Sequence, residues 1–391
     1  MGRLRIGVPF RLVSGALRRP AQPPRFPRAW RQYSSVPSSK LPLDGYRVLD
    51  MTRVLAGVRI FIRSSGIFTD VTQPYCTQIL GDLGAEVIKI EHPTRGDDTR
   101  AWGPPYATYK ADSTKEGPGE SAYFLAVNRN KKSLGLNFQH PDGIEILHKL
   151  VAKCDILVEN YLPGTLKKYK LDYDTLAAIN PGLVYASITG YGQTGPYSDR
   201  AGYDVMVEAE FGLMHITGSR DGPPVKVGVA VTDLTTGLYT SNSIMAALLA
   251  RGRTGRGQHI DVALSDCQTA TLANIASSCL ISGKKDSGRW GTAHQWLQVF
   301  EGRGMPYAAV NDVQRALSHE HTRARNMVVE MEHGECGPIR MVNTPVKYSD
   351  SEPTIRTAPP TLGQHTGEVL GEHLGLSEER ILELKSRGVV G

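Results

Sequence analysis

The sequence lacks any apolar run of the roughly 18 residues that a membrane-spanning helix needs, because Gly, Arg or polar residues interrupt each candidate. HExxH motifs and His/Cys clusters are also missing, so we expect no metal site. Neither GxGxxG nor a Walker A motif occurs, which argues against a nicotinamide enzyme or a nucleoside triphosphatase. No CxxC spacing relates the five cysteines, a pattern typical of reduced thiols: Cys76, Cys154, Cys267, Cys279 and Cys336.

Acidic residues are absent from the first 40 positions, which carry eight Arg and Lys40. The other 36 Lys and Arg face all 39 Asp and Glu, so residues 41–391 have a formal charge of −3 although the whole chain is +6. A basic excess confined to one end does not indicate nucleic acid binding. An Arg-rich, Ser-containing, acid-free leader instead predicts a mitochondrial transit peptide and a matrix protein. A basic tail without a targeting role is the alternative.

From residue 41 onwards the pattern predicts an α/β fold with a Rossmann-like parallel sheet. Apolar strands separated by helices of ten or more residues are expected at 46–52, 87–91, 133–138, 155–161 and 183–192. Ligands of such sheets bind beyond the carboxyl ends of the strands. Three motifs follow strands in this way: HPTRGDDTR (92–100), ENYLPG (159–164) and TGYGQTGP (189–196). The first, with two Arg, is a candidate phosphate site or else a solvated loop.

A further apolar stretch, VGVAV (227–231), is predicted to be a strand that ends at Thr232 and Asp233. The segment after it, TTGLYTSNSIMAALLA, is predicted to be a helix. Asp233 would then lie near a helix N-terminus, where backbone N–H groups and the helix dipole favour a negative charge. It is either a helix N-cap or a functional carboxylate, and both roles can hold at once.

Nine segments between Leu43 and His294 resemble, in order and spacing, the superfamily of family III CoA-transferases and racemases. They are GYRVLDMTRVLAG, PYCTQILGDLGAEVIKIEHPTRGDDTR, NRNKKSLGLNF, DILVENYLPG, GYGQTGP, RAGYD, GLMHITG, GVAVTDLTTG and TGRGQHIDVAL. The resemblance implies a large CoA-binding α/β domain, a smaller second domain and an interlocked homodimer. It predicts the large domain at residues 41–250, a truncated linker and small domain at 251–325, and a return to the large domain at 326–391.

The resemblance also implies roles for individual residues. Asp233 matches the catalytic aspartate that takes the acyl group. CoA would be a substrate, with no tightly bound cofactor. The positions implied to contact it are the thioester-lining Val54, Leu55 and Ala56, the adenosine and pantetheine contacts Leu136, Asn160 and Tyr161, the phosphate contacts Arg100 and Lys168, and the pair Tyr203 and Asp204.

The implied reaction moves CoA from a donor, succinyl-CoA in the strongest resemblance, to a dicarboxylic acid such as glutarate. It would pass through an aspartyl anhydride and an aspartyl-CoA thioester. Racemases of the superfamily have GHD where this chain has Gly202, Tyr203 and Asp204, since they need a histidine base. Tyrosine, with an ordinary pKa of about 10, is a poor base at neutral pH, which favours the transferase. An α-methylacyl-CoA racemase and an inactive CoA-binding subunit are the alternatives.

Two departures from the family pattern bear on activity. Residues 58–73 (VRIFIRSSGIFTDVTQ) form an insert between the thioester-lining segment and the next helix. After His294 several tens of family residues are missing, so the chain passes directly to a later part of the family sequence. Both features favour the inactive subunit among the alternatives.

Overall fold

The computed structural model describes residues 41–53, 72–286, 288, 313–346 and 354–391. The strands, in chain order, are β1 (Arg47–Asp50), β2 (Glu86–Glu91), β3 (Tyr106–Ala107), β4 (Glu120–Ser121), β5 (Lys131–Gly135), β6 (Ile156–Glu159), β7 (Val184–Thr189), β8 (His259–Ala263), β9 (Val328–His333) and β10 (Gly337–Val342).

The α-helices are α1 (Thr72–Asp82), α2 (Ala122–Val127), α3 (Pro141–Val151), α4 (Tyr173–Ile179), α5 (Asp204–Glu210), α6 (Leu213–Ile216), α7 (Val231–Thr254), α8 (Leu264–Thr271), α9 (Ala273–Ser282), α10 (Val313–Ser318), α11 (Glu320–Ala324), α12 (Thr366–Leu374) and α13 (Glu378–Ser386). Short 3-10 helices span Asp98–Ala101 and Leu166–Tyr169. No helix of this described part is long and apolar enough to cross a membrane.

Six parallel strands form the main sheet in the order β5-β2-β1-β6-β7-β8. The chain first builds outwards from β1 through β2 to β5, then returns to the other side of β1 with β6, β7 and β8. This reversal leaves a crevice between the carboxyl ends of β1 and β6, where ligands of doubly wound sheets bind. The predicted α/β fold with a parallel sheet is confirmed.

Helices cover both faces of the sheet, and the strands alternate between two apolar layers. In β1, Val48 packs towards α1 and α7, whereas Leu49 packs towards α3 and the C-terminal helices α12 and α13. Burial on both faces explains the nearly continuous apolar character of strands such as β7, all of whose residues are buried. It also explains why these strands were predictable as apolar runs.

The turn from α1 into β2 depends on Gly84. Its φ is +112°, and a Cβ there would lie 2.6 Å from the Cβ of Leu41. Only glycine combines this backbone conformation with so close an approach. The predicted strand at 87–91 is confirmed as β2.

The predicted strand at 227–231 is wrong. Residues 227–230 precede α7 without pairing to the main sheet, and Val231 is the first residue of the helix. The edge of β7 is already occupied by β8, and Val229 is 57% exposed, so this apolar stretch is not a buried strand. Asp233 is consequently the third residue of α7 rather than its N-cap, which is Ala230.

The C-terminal part of the chain packs against the edge strand β5. The Gly391 N–H donates to the Gly135 carbonyl, and Val390 forms a bridge with Leu136. At the opposite edge, β8 belongs to the main sheet although the predicted boundary at residue 250 assigned it to the linker and small domain. The sheet thus includes residues 259–263, and the domain limits stay predictions.

Two lysines are wholly buried beneath the carboxyl edge of the sheet. The Lys131 ammonium donates to Asp50 Oδ2 at 2.9 Å, to Thr77 Oγ1 and to the Pro74 carbonyl. The Lys89 ammonium lies 2.8 Å from Asp97 Oδ2 and donates to the Thr52 carbonyl. Burial lowers the pKa of Lys131 to about 8.

Asp50 is held ionised by the same network. Burial alone would raise its pKa, but the two ammonium groups, Lys131 first, hold the pKa of Asp50 below its ordinary value. The network thus ties the end of β1 to the beginning of α1, next to the crevice.

We predict that Lys131→Met destabilises the fold by about 3 to 5 kcal/mol, because it leaves the buried Asp50 carboxylate without its cation. The neighbouring Lys132→Met is the matched control. Lys132 is half-buried and pairs with Glu86 and Glu368 near the surface, so its loss should cost about 1 kcal/mol. Urea unfolding measures both, and equal losses would contradict the prediction.

Candidate active site

A pocket of about 170 Å³ opens at the carboxyl edge of the main sheet. Its walls come from the segments that follow β1, β2, β5 and β6, so it occupies the crevice produced by the reversal of strand order. The lining includes Thr52, Arg53, His92, Arg95, Leu136, Phe138, Tyr161, Thr165, Lys168 and Tyr169. Leu136, Tyr161 and Lys168 are predicted CoA contacts.

Asn160 joins the two sides of the crevice. Its Oδ1 accepts the Arg53 N–H at 3.0 Å, and its Nδ2 donates to the Arg53 carbonyl. The side chain thereby pairs with the backbone of Arg53 as a neighbouring strand would. Arg53 is the last described residue before the thioester-lining segment of Val54, Leu55 and Ala56, which lies outside the described residues. Asn160 therefore fixes the backbone of Arg53.

Tyr161 and Phe138 form the aromatic part of the wall. The Arg53 guanidinium lies 4.8 Å from the Tyr161 ring centroid, and the Phe138 ring meets Tyr161 edge-on at 5.9 Å. Burial raises the pKa of Tyr161 to about 12, so its hydroxyl keeps its proton. Leu136 is buried, and its N–H donates to the Glu91 carbonyl at 2.7 Å. This wall suits a flat or apolar part of a ligand.

Cationic side chains surround the pocket. Lys168 is exposed on the 3-10 helix after β6, with its ammonium 4.8 Å from the Tyr169 ring centroid. Arg53 and Arg95 add two guanidinium groups. The acids Glu91 and Asp97 in the same wall are already paired with Arg100 and Lys89. Asp98 is the other acidic residue of the lining. Because three cationic side chains line the pocket and two of its three acids are paired, the pocket favours an anion.

Arg100, a predicted phosphate contact, is outside the lining of the pocket. Its guanidinium makes two 2.7 Å bonds to Glu91, reaches Glu120 at 3.3 Å and donates to the Pro360 carbonyl. It also stacks on Phe124, 3.7 Å from the ring centroid. Arg100 does not line the pocket, and its donors are directed to these partners because the carboxylates around it are buried.

Asp233 lies in the first turn of α7 and is wholly buried. Its N–H donates to Asp204 Oδ1 at 3.1 Å, and the neighbouring Thr232 hydroxyl donates to Gln268 Oε1. Tyr203, directly before α5, is 40% exposed. The structure thus brings the predicted residues Asp204 and Asp233 into contact.

The beginning of α5 is held against the end of β7 by a close contact between two glycines. A Cβ on Gly190 would lie 2.6 Å from the Cα of Gly202, so any larger residue would separate the two segments. The Gly190 carbonyl also accepts the N–H of Ser265, the second residue of α8. This contact places Asp204 at the same carboxyl edge as the pocket.

Glu159, the last residue of β6, holds the backbone of Tyr161 in the pocket wall. Its Oε2 accepts the Tyr161 N–H at 2.7 Å, and Ser187 is its Cα partner on the neighbouring strand β7. Ser187 in turn lies 2.9 Å from His259 Nε2. Burial raises the pKa of Glu159 to about 7, so a proton resides on this carboxyl under mildly acidic conditions.

Two groups of predicted residues therefore lie at the carboxyl edge. Leu136, Asn160, Tyr161 and Lys168 surround the pocket, and Tyr203, Asp204 and Asp233 lie beyond β7. Sequence reasoning missed Arg53 as a pocket residue, although it directly follows β1 and that position was a usable signal.

Comparisons with known proteins identify the family of this chain. The model of CoA-transferase family III matches residues 43–292 and 287–366. A succinyl-CoA:glutarate CoA-transferase from Homo sapiens is 39% identical over 89% of this chain and 90% of its own length. A succinate–glutarate CoA-transferase from Agrobacterium fabrum is 45% identical over 68% of this chain and 62% of its own length.

A solved structure of a CaiB/BaiF family protein from Brucella suis superposes with a TM-score of 0.71. It is 32% identical, and the match covers 86% of this chain and all of that one. The family model and these relatives identify an enzyme that transfers CoA. The chain belongs to CoA-transferase family III. The two matched segments meet at residues 287–292, close to where several tens of residues were expected to be missing.

We predict that Glu159→Gln gains stability relative to the wild type as the pH rises. The pKa of Glu159 is about 7 in the folded chain and about 4.5 when unfolded, so the wild type loses stability between these values while a glutamine does not. From about pH 5 to pH 8 the difference should grow by about 2 kcal/mol. Urea unfolding at both pH values measures this difference in unfolding free energy, and the exposed Glu145→Gln is the control. A difference that stays constant with pH would contradict the prediction.

Proposed function

We propose that this enzyme transfers CoA from an acyl-CoA to a dicarboxylic acid, with Asp233 as the nucleophile. Family membership and the names of the relatives that act on succinyl-CoA and glutarate support this substrate class. The observation that carries the proposal is the buried carboxylate of Asp233 in the first turn of a long helix, at the residue that matches the family aspartate.

The proposed reaction proceeds by covalent exchange at Asp233. The carboxylate attacks the thioester carbonyl of the donor, which expels CoA thiolate and forms a mixed anhydride. The thiolate attacks the aspartyl carbonyl, which releases the donor acid and leaves an aspartyl-CoA thioester. The acceptor carboxylate attacks this thioester and expels the thiolate again. Attack of the thiolate on the acceptor's acyl carbonyl releases the new acyl-CoA and frees Asp233.

The position of Asp233 suits this chemistry. The positive end of the α7 dipole stabilises an ionised carboxylate in the first turn of the helix. It would also stabilise the oxyanion of each tetrahedral intermediate. Backbone N–H groups at the beginning of α7 and at Val54–Ala56 are the candidate donors to that oxyanion. The ionised form is the one that attacks.

The pocket is the proposed site for the nucleotide part of CoA. Tyr161, Phe138 and Leu136 offer a wall for the adenine ring, and Lys168, Arg53 and Arg95 offer partners for phosphate groups. We assign the phosphate contact to these cations and not to Arg100, whose donors are held by Glu91 and Glu120. The pantetheine arm would extend along the carboxyl edge towards Asp233.

Tyr203 supports the transferase over the racemase, since it stands where a racemase would have its histidine base. We further propose a homodimer and, from the acid-free leader, a location in the mitochondrial matrix. An inactive CoA-binding subunit predicts CoA binding without turnover.

We predict that Asp233→Asn lowers CoA exchange more than about 1,000-fold, because an amide does not form the anhydride. Binding of CoA, measured by calorimetry, should be unchanged, since the pocket is built from other segments. Hydroxylamine trapping after incubation with succinyl-CoA should label Asp233 in the wild type alone. The exposed Asp174→Asn serves as control. Near-normal exchange by Asp233→Asn, or labelling of another residue, would overturn the assignment.

We also predict that Lys168→Ala weakens CoA binding about tenfold, through loss of a charge-assisted contact worth about 1.5 kcal/mol. Lys167→Ala is the matched control, because Lys167 is equally exposed on the same 3-10 helix but does not line the pocket. The difference between the two variants should shrink at high salt. Equal Kd values for both variants would refute a phosphate contact by Lys168.

A further inference from the structure

The buried carboxyl group of Glu208 on α5 takes no part in the proposed exchange. Glu208 lies one helical turn after Asp204 on α5, and both side chains are wholly buried. Asp204 Oδ1 accepts the N–H of Asp233, and Glu208 Oε2 accepts the N–H of Val227 at 3.2 Å. The two carboxyls of α5 thus hold the segment that leads into α7 and the first turn of α7.

This arrangement replaces a local cap. The N-cap residue Ala230 has no side chain able to accept the first N–H groups of α7. The Asp204 carboxylate supplies the missing acceptor from another helix, since the first four N–H groups of a helix have no partner within it. The backbone position of Asp233 therefore depends on where Asp204 lies.

The second oxygen of each carboxyl group lacks a hydrogen-bond donor in the described part of the chain, and one shared proton supplies it. Asp204 Oδ2 and Glu208 Oε1 are buried, and no N–H or O–H donor among the described residues reaches them. The two side chains are nevertheless neighbours on one face of α5, because they lie four residues apart in the helix. Two ionised carboxylates would repel there, whereas one proton between them forms a hydrogen bond and satisfies both oxygens.

The surroundings favour that proton on Glu208. Burial, and then the neighbouring Asp204, raises the pKa of Glu208 to about 7, and burial also raises the pKa of Asp204. Lys226 is the positively charged side chain that acts on both groups in the opposite direction. Asp204 can then remain the acceptor for the N–H of Asp233.

We propose that Glu208 is a positioning residue for CoA transfer: it shares a proton with Asp204, and this pair fixes the first turn of α7 while leaving one negative charge beside Asp233. The inference rests on the proposed role of Asp233 as nucleophile. Without the shared proton, two negative charges would lie next to a carboxylate that must attack, and the cap of α7 would be pushed away.

The test compares Glu208→Ala and Glu208→Gln in the full chain. We expect Glu208→Ala to lower kcat at least tenfold with KM for acyl-CoA within about twofold, because positioning and not binding is lost. Glu208→Gln should recover most of that kcat, since its Oε1 can accept the Val227 N–H while its Nε2 donates to Asp204. Glu210→Ala, on the exposed side of α5, is the control and should leave kcat unchanged.

Two readouts are independent of turnover. The infrared difference between wild type and Glu208→Gln at neutral pH should contain the carbonyl stretch of one protonated carboxyl group. Hydrogen exchange at the Asp233 amide should be faster in Glu208→Ala than in Glu208→Gln.

An unchanged kcat in Glu208→Ala, equal losses in both variants or no protonated-carboxyl signal would overturn the proposal. If the wild type shows neither transfer nor labelling of Asp233, the proposed function fails, while these two readouts still decide whether the pair shares a proton and holds α7.

Discussion

The reversal of strand order between β1 and β6 is the constraint on which the rest of the site depends. Segments leaving these two strands diverge in opposite directions, so a crevice opens at the carboxyl edge. Asn160 bridges it by pairing with the backbone of Arg53, and the pocket forms around that bridge.

Buried charges around this crevice occur in pairs. The charged residues are therefore of two kinds, buried ones that form ion pairs and exposed ones that line the pocket. Lys131 with Asp50 and Arg100 with Glu91 are neutralised inside the protein, where an unpaired charge would be very costly. Lys168 stays at the surface of the pocket, where it can meet a phosphate. The same rule explains the proton proposed on Glu208, since its neighbour Asp204 is also an acid.

Prediction from sequence succeeded where local pattern and burial agree. β2 and β7 are buried on both faces, so their apolar runs predicted strands that the structure contains. It failed at 227–231, where the run is apolar but Val229 is exposed and no strand edge is open to pair with it. Arg53 was missed because its place in the pocket depends on Asn160, 107 residues away.

The sequence by itself determined the family and five of the six strands of the main sheet, because these are carried by motifs in a fixed order and by local apolar runs. Only the tertiary structure decided which charges meet. Arg100, predicted from the resemblance as a phosphate contact, forms ion pairs with Glu91 and Glu120. Asp204 proved to hold the N–H of Asp233 from 29 positions away, a contact that exists only once α5 and α7 pack together.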